Sequence, residues 1–323
     1  MPNQDMDVTL ADWIDQQQKR LNAQPIIGYA RGEPAAAEPV AFAAISASAY
    51  GLKEAAIEAC RCLIQAQNRH GAVSVNLHDQ GPFWATSLAA IAWRTFEQKW
   101  PDAANESAKW RYRDAYRRAI DFLTGFGGEK IEPNDTFGHD SQLVGWPWVQ
   151  GTHSWLEPTA MALLAMRHCG YADHPRAIEA AELLIDRQLP DGGANYGNTF
   201  VLGQELRPHL LPSAMCVVAF HRVTPRPEPI KATIRYLQNE LNRPMAAISL
   251  SWVMHALVSA AWDEEDRSEI EFEWPLRSAI NRLRLIEENP HRQNLLLLAA
   301  KTRESPLLNV EPHRIAPAES GVH

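Results

Sequence analysis

Two kinds of helix-forming segment alternate along the chain, and this alternation limits the possible folds more than any other feature. One kind is charged and amphipathic, with its apolar residues at helical spacing. The other is apolar nearly all round and rich in small residues, as in "EPTAMALLAMRHCG", which begins at Glu157. A helix that is apolar on every side must be buried on most of its surface, and small side chains allow close packing. The pattern therefore predicts an inner ring of apolar helices inside an outer ring of amphipathic ones.

The order of these segments predicts twelve helices in six hairpins, each an outer helix followed by an inner one. The predicted outer helices span 9–22, 52–67, 106–125, 174–188, 227–241 and 273–288. The predicted inner helices span 38–50, 83–97, 157–169, 211–223, 245–261 and 290–301. Six such hairpins close into a ring, so the predicted fold class is all-α, an (α/α)6 barrel or toroid. Residues 1–302 are expected to form this single domain, and the Pro-rich, polar residues 303–323 a mobile C-terminal tail.

Composition and charge exclude several kinds of protein. The 323 residues carry a formal net charge of −8 without a long basic run, which argues against binding to nucleic acid. No apolar stretch reaches the roughly 18 residues of a membrane-spanning helix, and the N-terminus lacks the pattern of a secretory signal. The four cysteines form no CxxC pair, which fits a reducing compartment. We therefore expect a cytoplasmic protein, with peripheral association at the inner membrane face left open and no prediction of oligomeric state.

The connections between helices are unequal in length. Those from an inner helix to the next outer helix are mostly short, whereas those from outer to inner are long, the longest at 126–156 and 189–210. Long connections in a compact domain usually carry function. They meet at the end of the barrel where the inner helices begin, and helix N-termini favour negative charge. The functional site is therefore expected at this end, which we call the mouth.

Short motifs recur at these connections. Three outer helices end in Gln-x-x-x-Gly, at Gln24–Gly28, Gln67–Gly71 and Gln188–Gly192. Three inner helices begin with proline, a small or β-branched residue, alanine and a bulky apolar residue, at Pro39–Phe42, Pro158–Met161 and Pro212–Met215. The chain resembles the prenyltransferase and squalene-cyclase repeat superfamily over roughly residues 10–300. The resemblance rests on the segments "LLIDRQLPDGGANYGN", "LPSAMCVVAF" and "WLEPTAMALLAMRHCGY". The resemblance implies a terpene cyclase-like toroid whose partner is an isoprenoid or another apolar polycyclic molecule.

The chain departs from the catalytic motifs of that superfamily. It has no Asp-x-Asp-Asp acid, and the nearest string, at 263–266, is expected to be a solvated acidic turn at the opposite end of the barrel. The metal-binding Asp-Asp-x-x-Asp of ionisation-type terpene synthases is missing, and the zinc ligands of the protein prenyltransferases do not match. Whether the toroid is an enzyme is therefore left open, and neither a cofactor nor a metal is predicted.

The densest group of polar and aromatic residues lies at 137–158. If the chain is catalytic, we expect Asp140 as the proton donor, paired with His139 or His153. Glu157, at a helix start, is expected to be held in its ionised form by the helix dipole and to stabilise positive charge. Glu38, equally placed before a proline, argues instead for a structural role of such glutamates at helix N-termini. The candidate substrate-binding residues are Trp84, Trp146, Trp148, Trp155, Asn195, Tyr196 and His209.

Two alternatives to the cyclase-like hypothesis remain open. The toroid could be a lipid-binding or scaffold protein without catalysis. It could also be a carbohydrate-active (α/α)6 enzyme with two carboxylates about 5–10 Å apart. The pair would be Asp140 or Asp191 with Glu157 or Glu205. An apolar lining of the cavity favours the first two hypotheses, and a lining with several carboxylates favours the enzyme acting on carbohydrate. His139, His153 and His209 lack the close spacing of a helical metal site.

Overall fold

The computed structural model describes residues 9–105, 111–133, 138–201, 203–262, 270–285 and 289–314. The helices in these residues are, in chain order, α1 Leu10–Ala23, α2 Ala37–Ala49, α3 Lys53–Ala66, α4 Thr86–Lys99, α5 Pro101–Asn105, α6 Tyr112–Gly125, α7 Leu156–His168, α8 Pro175–Asp186, α9 Leu210–Ala219, α10 Glu228–Glu240, α11 Ala247–Ala261, α12 Glu273–Arg284 and α13 Pro290–Ala299. None of these helices is long and apolar enough to cross a membrane. The acidic string at 263–266 lies outside the described residues.

The inner ring consists of α2, α4, α7, α9, α11 and α13. Each of these helices packs against the next, and α13 packs against α2, which closes the ring. Every residue of α7 is buried, as its all-round apolar pattern requires. The outer helices α1, α3, α6, α8, α10 and α12 cover this ring with one apolar face each. The predicted (α/α)6 fold is confirmed, and the extra short helix α5 lies between the second and third hairpins.

The C-terminal residues include a packed segment. Two short 3-10 turns, Thr302–Glu304 and Pro306–Leu308, are followed by strand β4, His313–Arg314, which pairs in parallel with β3, Val223–Thr224. Leu307 is buried within this segment. Residues 302–314, which the sequence assigned mainly to a tail, thus pack across the end of the barrel opposite the mouth. A second small pairing, β1 Phe200–Val201 with β2 Gln204–Glu205, lies in the long connection before α9.

A repeated hydroxyl contact fixes each long connection to the start of the inner helix that follows. The hydroxyl accepts a backbone N–H from the connection and donates to a carbonyl just before or at the helix start. The accepted N–H groups belong to Val73, Trp146 and Ala194, and the hydroxyls to Thr86, Thr159 and Ser213, at 2.8–2.9 Å. The residue two positions before each hydroxyl is thereby held at the mouth. These residues are Trp84, Glu157 and Leu211.

Two of the three Gln-x-x-x-Gly motifs, those that begin at Gln67 and Gln188, join neighbouring outer helices. Gln67 donates from Nε2 to the carbonyls of Gly71 and of Ala115 in α6. Gln188 accepts at Oε1 from the hydroxyl of Thr233 in α10. These contacts hold one outer helix against the next, so the motif serves the packing of the barrel.

The two glycines of these motifs lie directly against the next outer helix. Both have positive φ, 89° at Gly71 and 91° at Gly192. A Cβ atom at Gly71 would overlap the carbonyl oxygen of Arg118, and one at Gly192 that of Ala232. Glycine is therefore required for conformation and for space.

We expect Gly192→Ala to destabilise the protein much more than Gly170→Ala. Both glycines have similar φ, 91° and 84°, but a Cβ at Gly170 would meet open space. The first substitution should cost about 2–4 kcal/mol because strain and overlap add, and the second about 1 kcal/mol from strain alone. Urea unfolding of the two variants measures the difference. Equal losses would show that the overlap with α10 is relieved without cost.

At the end opposite the mouth, cationic side chains bond the last carbonyls of the inner helices. Helix C-termini leave carbonyl groups without intrahelical partners and carry partial negative charge. Arg94 donates to His168 O, Arg167 to Ala219 O, Arg226 to Ser259 O and Ala260 O, and Lys301 to Ala49 O. The two ends of the barrel therefore differ in polarity because all inner helices run in one direction.

Candidate active site

Two glutamates lie at the mouth, at equivalent points of two inner helices. Glu38 is the second residue of α2, and Glu157 is the second residue of α7. These helices are not neighbours in the ring, because α4 packs between them. The negative charge of Glu38 nevertheless acts on Glu157 and raises its pKa. The two carboxyl groups therefore lie within electrostatic reach of each other at the mouth.

Glu38 is held by a tyrosine. Its Oε2 accepts a hydrogen bond of 2.8 Å from the hydroxyl of Tyr29, and its side chain is 18% exposed. Burial raises the pKa of Glu38 to about 7, while the bond from Tyr29 acts in the opposite direction by favouring the ionised form. A carboxyl group in this setting is ready to change its protonation state near neutral pH.

His291 supplies the other side of the Glu38 environment. It is the second residue of α13, and its Nε2 lies 3.7 Å from Glu38 Oε1. Its ring also contacts the ring of Tyr29 edge-on at 5.4 Å between centroids. Burial, first, and the nearby Arg292 lower the pKa of His291 to about 3, so the imidazole is neutral and does not neutralise Glu38.

Glu157 is more deeply buried and has fewer contacts. Glu157 is 6% exposed, and its Oε1 has no hydrogen-bond partner among the described residues. Burial, first, and then the charge of Glu38 raise the pKa of Glu157 to about 7. The sequence predicted the opposite direction, because it considered the helix dipole alone. The loss of water around the carboxyl group outweighs the dipole.

The expected capping role of these glutamates does not match their contacts. Neither α2 nor α7 has a side-chain capping hydrogen bond at its N-terminus within the described residues. Glu38 bonds Tyr29 instead. Leu211 holds the position of Glu157 in the α9 repeat, so the position does not need a carboxylate for folding.

The pair can exchange a proton with a substrate. No lysine or arginine forms an ion pair with either glutamate in the part of the chain that the structure describes. Two buried carboxyl groups without a cation cannot both be ionised at low cost, so together they retain a proton near neutral pH. The bond from Tyr29 favours the ionised form of Glu38, which leaves the proton on Glu157. This arrangement provides one general acid and one general base.

Aromatic rings border the mouth near the pair. Trp84, just before α4, meets Trp148 edge-on at 4.9 Å, and both are half-buried. Tyr196 is 39% exposed, and its carbonyl accepts the N–H of Leu156, beside Glu157. These three predicted substrate-binding residues are thus available at the mouth.

The remaining predicted binding residues differ in their surroundings. Trp146 is buried, donates from Nε1 to Leu123 O and lies under the guanidinium of Arg176 at 4.5 Å. Trp155 stacks on His153 at 4.9 Å. Asn195 donates to Arg207 O within its own connection, and His209 lies against Tyr196 at 4.8 Å. Trp146 therefore packs beneath the long connection. Trp155 and its neighbour His153 are half-buried, and His209 is exposed beside Tyr196.

A second cluster contains the predicted acid and its histidines. His139 and His153 line a cavity of about 130 Å³ with Arg187. Burial, first, and the charge of Arg187 lower the pKa values of both histidines, that of His139 to about 4. Asp140 is exposed, its Oδ1 accepts the N–H of Gln142, and its carbonyl accepts from Arg187. The structure brings the three predicted residues together. Asp140, however, is the weakest of the influences on the pKa of His139.

The other predicted carboxylates lie apart from the buried pair. Asp191 and Glu205 are both exposed. Among the described residues, no three His, Cys, Asp or Glu side chains are grouped so that they could hold a metal ion. The predicted roles of Asp140, His139 and His153 remain predictions, whereas the charge of Glu38 acts on a second buried carboxyl group, that of Glu157, and raises its pKa.

Sequence reasoning missed Tyr29 and His291 and gave Glu38 only a structural role. Tyr29 and His291 reach Glu38 through the closure of the ring, which no local pattern encodes. A signal for Glu38 does exist in the repeats. Two inner helices begin with Glu-Pro, while the third related start has Leu211 before its proline. A residue type that the repeat does not require, but that two copies share, indicates a use other than folding.

Solved structures with a similar fold include glycosyl hydrolases. The endoglucanase Cel10, a family 8 glycosyl hydrolase from Klebsiella pneumoniae, has a TM-score of 0.52 and 13% identity, over 90% of this chain and 100% of its own. The endo-beta-1,4-glucanase CMCax from Acetobacter xylinum has a TM-score of 0.53 and 12% identity, over 91% and 99%. Rex8A from Paenibacillus barcinonensis, complexed with xylose, has a TM-score of 0.53 and 11% identity, over 92% and 94%. No family model and no curated protein matches the chain.

These similarities correct the ligand that the sequence resemblance implied. The toroid architecture is confirmed, but the assignment to prenyltransferases and terpene cyclases is not supported, and the isoprenoid-type partner is wrong. The structures that match include two glucanases, and Rex8A is complexed with xylose. The repeat motifs misled because they report how outer helices pack, as Gln67 and Gln188 show. The alternative of a carbohydrate-active (α/α)6 enzyme is better supported than the cyclase hypothesis.

We expect Glu157→Gln to stabilise the protein at pH 8 and to leave its stability nearly unchanged at pH 4. Because the folded-state pKa is about 7 against a usual value of 4.5, the folded protein retains a proton between about pH 4.5 and pH 7 that the unfolded chain has already lost. The wild-type protein therefore loses stability as the pH rises through this window, and the neutral glutamine does not. The melting temperature of the variant should exceed that of the wild type by roughly 2–5 °C at pH 8.

The exposed Glu205→Gln is the matched control, since it changes the same group at a hydrated position. It should alter the melting temperature little at either pH. A Glu157→Gln variant that is equally destabilised at both pH values would contradict the assigned protonation.

Proposed function

We propose that the protein is a glycoside hydrolase that cleaves a β-linked sugar polymer at the mouth of the toroid. The observation that carries this proposal is the coupled pair of buried carboxyl groups, Glu38 and Glu157, without a cation partner. Glycosidic bonds are cleaved by two such carboxyl groups, one protonated and one ionised. The similar fold of endoglucanases supports the substrate class.

Glu157 is assigned as the general acid. Burial and the charge of Glu38 keep its proton in place near neutral pH. In the reaction, Glu157 donates this proton to the glycosidic oxygen as the bond from that oxygen to the anomeric carbon breaks. The leaving sugar thus departs as a neutral alcohol.

Glu38 is assigned as the general base. The hydroxyl of Tyr29 donates to its Oε2 and stabilises the negative charge that a base requires. Glu38 takes a proton from a water molecule whose oxygen bonds to the anomeric carbon. Since α4 separates α2 from α7, the pair suits the wide arrangement of inverting enzymes, in which about 6.5–9.5 Å leaves room for that water.

The aromatic residues at the mouth are assigned to sugar binding. The faces and edges of Trp84 and Trp148 offer apolar surface to the C–H groups of a sugar ring. Tyr196 offers an exposed ring and a hydroxyl beside the start of α7. The mixture of rings and hydrogen-bonding groups fits a carbohydrate better than a hydrocarbon chain.

We expect Glu157→Gln and Glu38→Gln each to lower kcat about 10²–10⁴-fold, because each removes one of the two proton transfers. The assay measures new reducing ends from β-1,4-glucan and from xylan, with the purified protein. The exposed Glu205→Gln serves as the control and should retain full activity. If both glutamine variants keep full activity, the assignment is refuted. It is also refuted if the wild-type protein hydrolyses neither polymer.

We expect Tyr29→Phe to move the acidic limb of the pH–rate profile to higher pH. The variant removes the hydrogen bond that favours ionised Glu38, so its pKa rises further and the base is ionised only at higher pH. Activity should fall most at pH 5–6 and recover toward pH 8. Tyr50→Phe is the matched control, because the Tyr50 hydroxyl bonds Leu297 O and not a carboxylate. An unchanged profile in Tyr29→Phe would show that Glu38 is not the base.

A further inference from the structure

A second cavity, of about 420 Å³, lies at the end of the barrel opposite the mouth. It is enclosed by the last turns of α2, α4 and α11, by the turn after α9 and by the C-terminal segment 302–309. Its size is within the range of small-molecule sites. None of the residues assigned to catalysis lines it, so it is separate from the candidate active site.

The charge of this cavity is opposite to that of the whole chain. Four cationic side chains line it against one carboxylate, that of Glu304, while the chain has a net charge of −8. Like charges gathered in one concave space repel each other, and a bound anion relieves this repulsion. The four are Lys99, Arg222, Lys301 and Arg303.

Two of these cations are already held by the protein. Lys301 donates to Ala49 O at 3.3 Å and pairs with Glu304 at 3.1 Å. Arg222 donates to Val310 O at 3.1 Å, and its guanidinium lies over the ring of Trp262 at 4.8 Å. These contacts fix the direction of Arg222 and leave it further donors.

The other two cations have no such partner. Lys99, the last residue of α4, and Arg303, in the first 3-10 turn, form no hydrogen bond or ion pair with any residue that the structure describes. They reach the cavity from separate parts of the chain. Lys301 bonds a carbonyl at the end of a helix, which explains its position. Lys99 and Arg303 form no such bond within the described residues.

The neutral groups of the lining can also bind an anion. The Asn309 side-chain amide carries two N–H donors. One of them bonds Gln98 Oε1 at 3.1 Å, which orients the amide and leaves the other N–H for a ligand. The ring of Trp262, 48% exposed, forms an apolar wall. Such a combination suits an organic molecule with charged groups better than a bare ion.

We propose that this cavity binds a small organic anion with two or more phosphate or carboxylate groups. Lys99 and Arg303 bind the charged groups, and Arg222, held by Trp262 and by Val310 O, presents fixed donors to them. The ligand also joins α4 to the C-terminal segment, so its binding stabilises the closed end of the barrel.

Isothermal titration calorimetry of the full chain with pyrophosphate and with citrate tests the proposal, with acetate as the singly charged control. At low ionic strength we expect one molecule of pyrophosphate, citrate or both to bind per chain, much more tightly than acetate, with affinity falling as salt is added. The anion that binds more tightly identifies the phosphate or the carboxylate source. Binding of neither at millimolar concentration would overturn the proposal.

Variants place the binding in this cavity. Lys99→Met and Arg303→Gln should each weaken binding about 10-fold or more, since each removes a charge-assisted contact. Arg277→Gln, which removes an exposed cation paired with Glu273, is the matched control and should bind as the wild type does. If the two cavity variants bind normally, the anion lies elsewhere and the proposal fails.

The test is independent of hydrolysis. Glu157→Gln should retain full anion binding, and Lys99→Met should retain catalysis in the absence of anion. If Lys99 and Arg303 serve only to offset the charge of helix C-termini, their variants lower the melting temperature and leave anion affinity unchanged, which would also refute the site.

Discussion

Closure of the inner ring, in which α13 packs against α2, is the contact on which the fold and the candidate active site both depend. It brings His291 from the last inner helix to Tyr29 and Glu38 near the beginning of the chain. It also completes the inner ring from which both Glu38 and Glu157 project. Desolvation is the first cause of the raised pKa of each glutamate, so their chemistry is a consequence of ring closure and not of local sequence.

Burial of two carboxyl groups without a cation opposes folding, because the charged form loses hydration that nothing replaces. The large apolar core formed by helices such as α7 tolerates this cost. The repeats show that the cost is not imposed by the architecture, since Leu211 and Trp84 hold the position of Glu157 at two other inner helices. The same fold is compatible with an apolar residue at this position. A group that lowers stability at such a position is characteristic of a functional site.

The sequence predicted the helices and their two rings because the relevant pattern is local: α7 is apolar on all sides, and its burial follows from that alone. It could not predict which residues meet across the ring. Asp140 was paired with His139 or His153 because all three lie in one segment of the sequence, whereas the charge of Glu38 acts on Glu157, far apart in the chain. The isoprenoid ligand was inferred from Gln-x-x-x-Gly motifs, and Gln67 and Gln188 in fact bond neighbouring outer helices. A motif that serves packing identifies a fold and leaves the ligand open.

The common direction of the inner helices explains why the two ends of one barrel have opposite chemistry. Helix N-termini converge at the mouth, and their partial positive charge makes it possible to place Glu38 and Glu157 there without a lysine or arginine. Helix C-termini converge at the other end, where their carbonyls require cations such as Arg167 and Lys301. Cations beyond that requirement, at Lys99 and Arg303, are then free to hold a ligand. The backbone polarity of the ring thus explains why cations gather at this end, and the two that exceed the need of the carbonyls are the basis of the anion site proposed there.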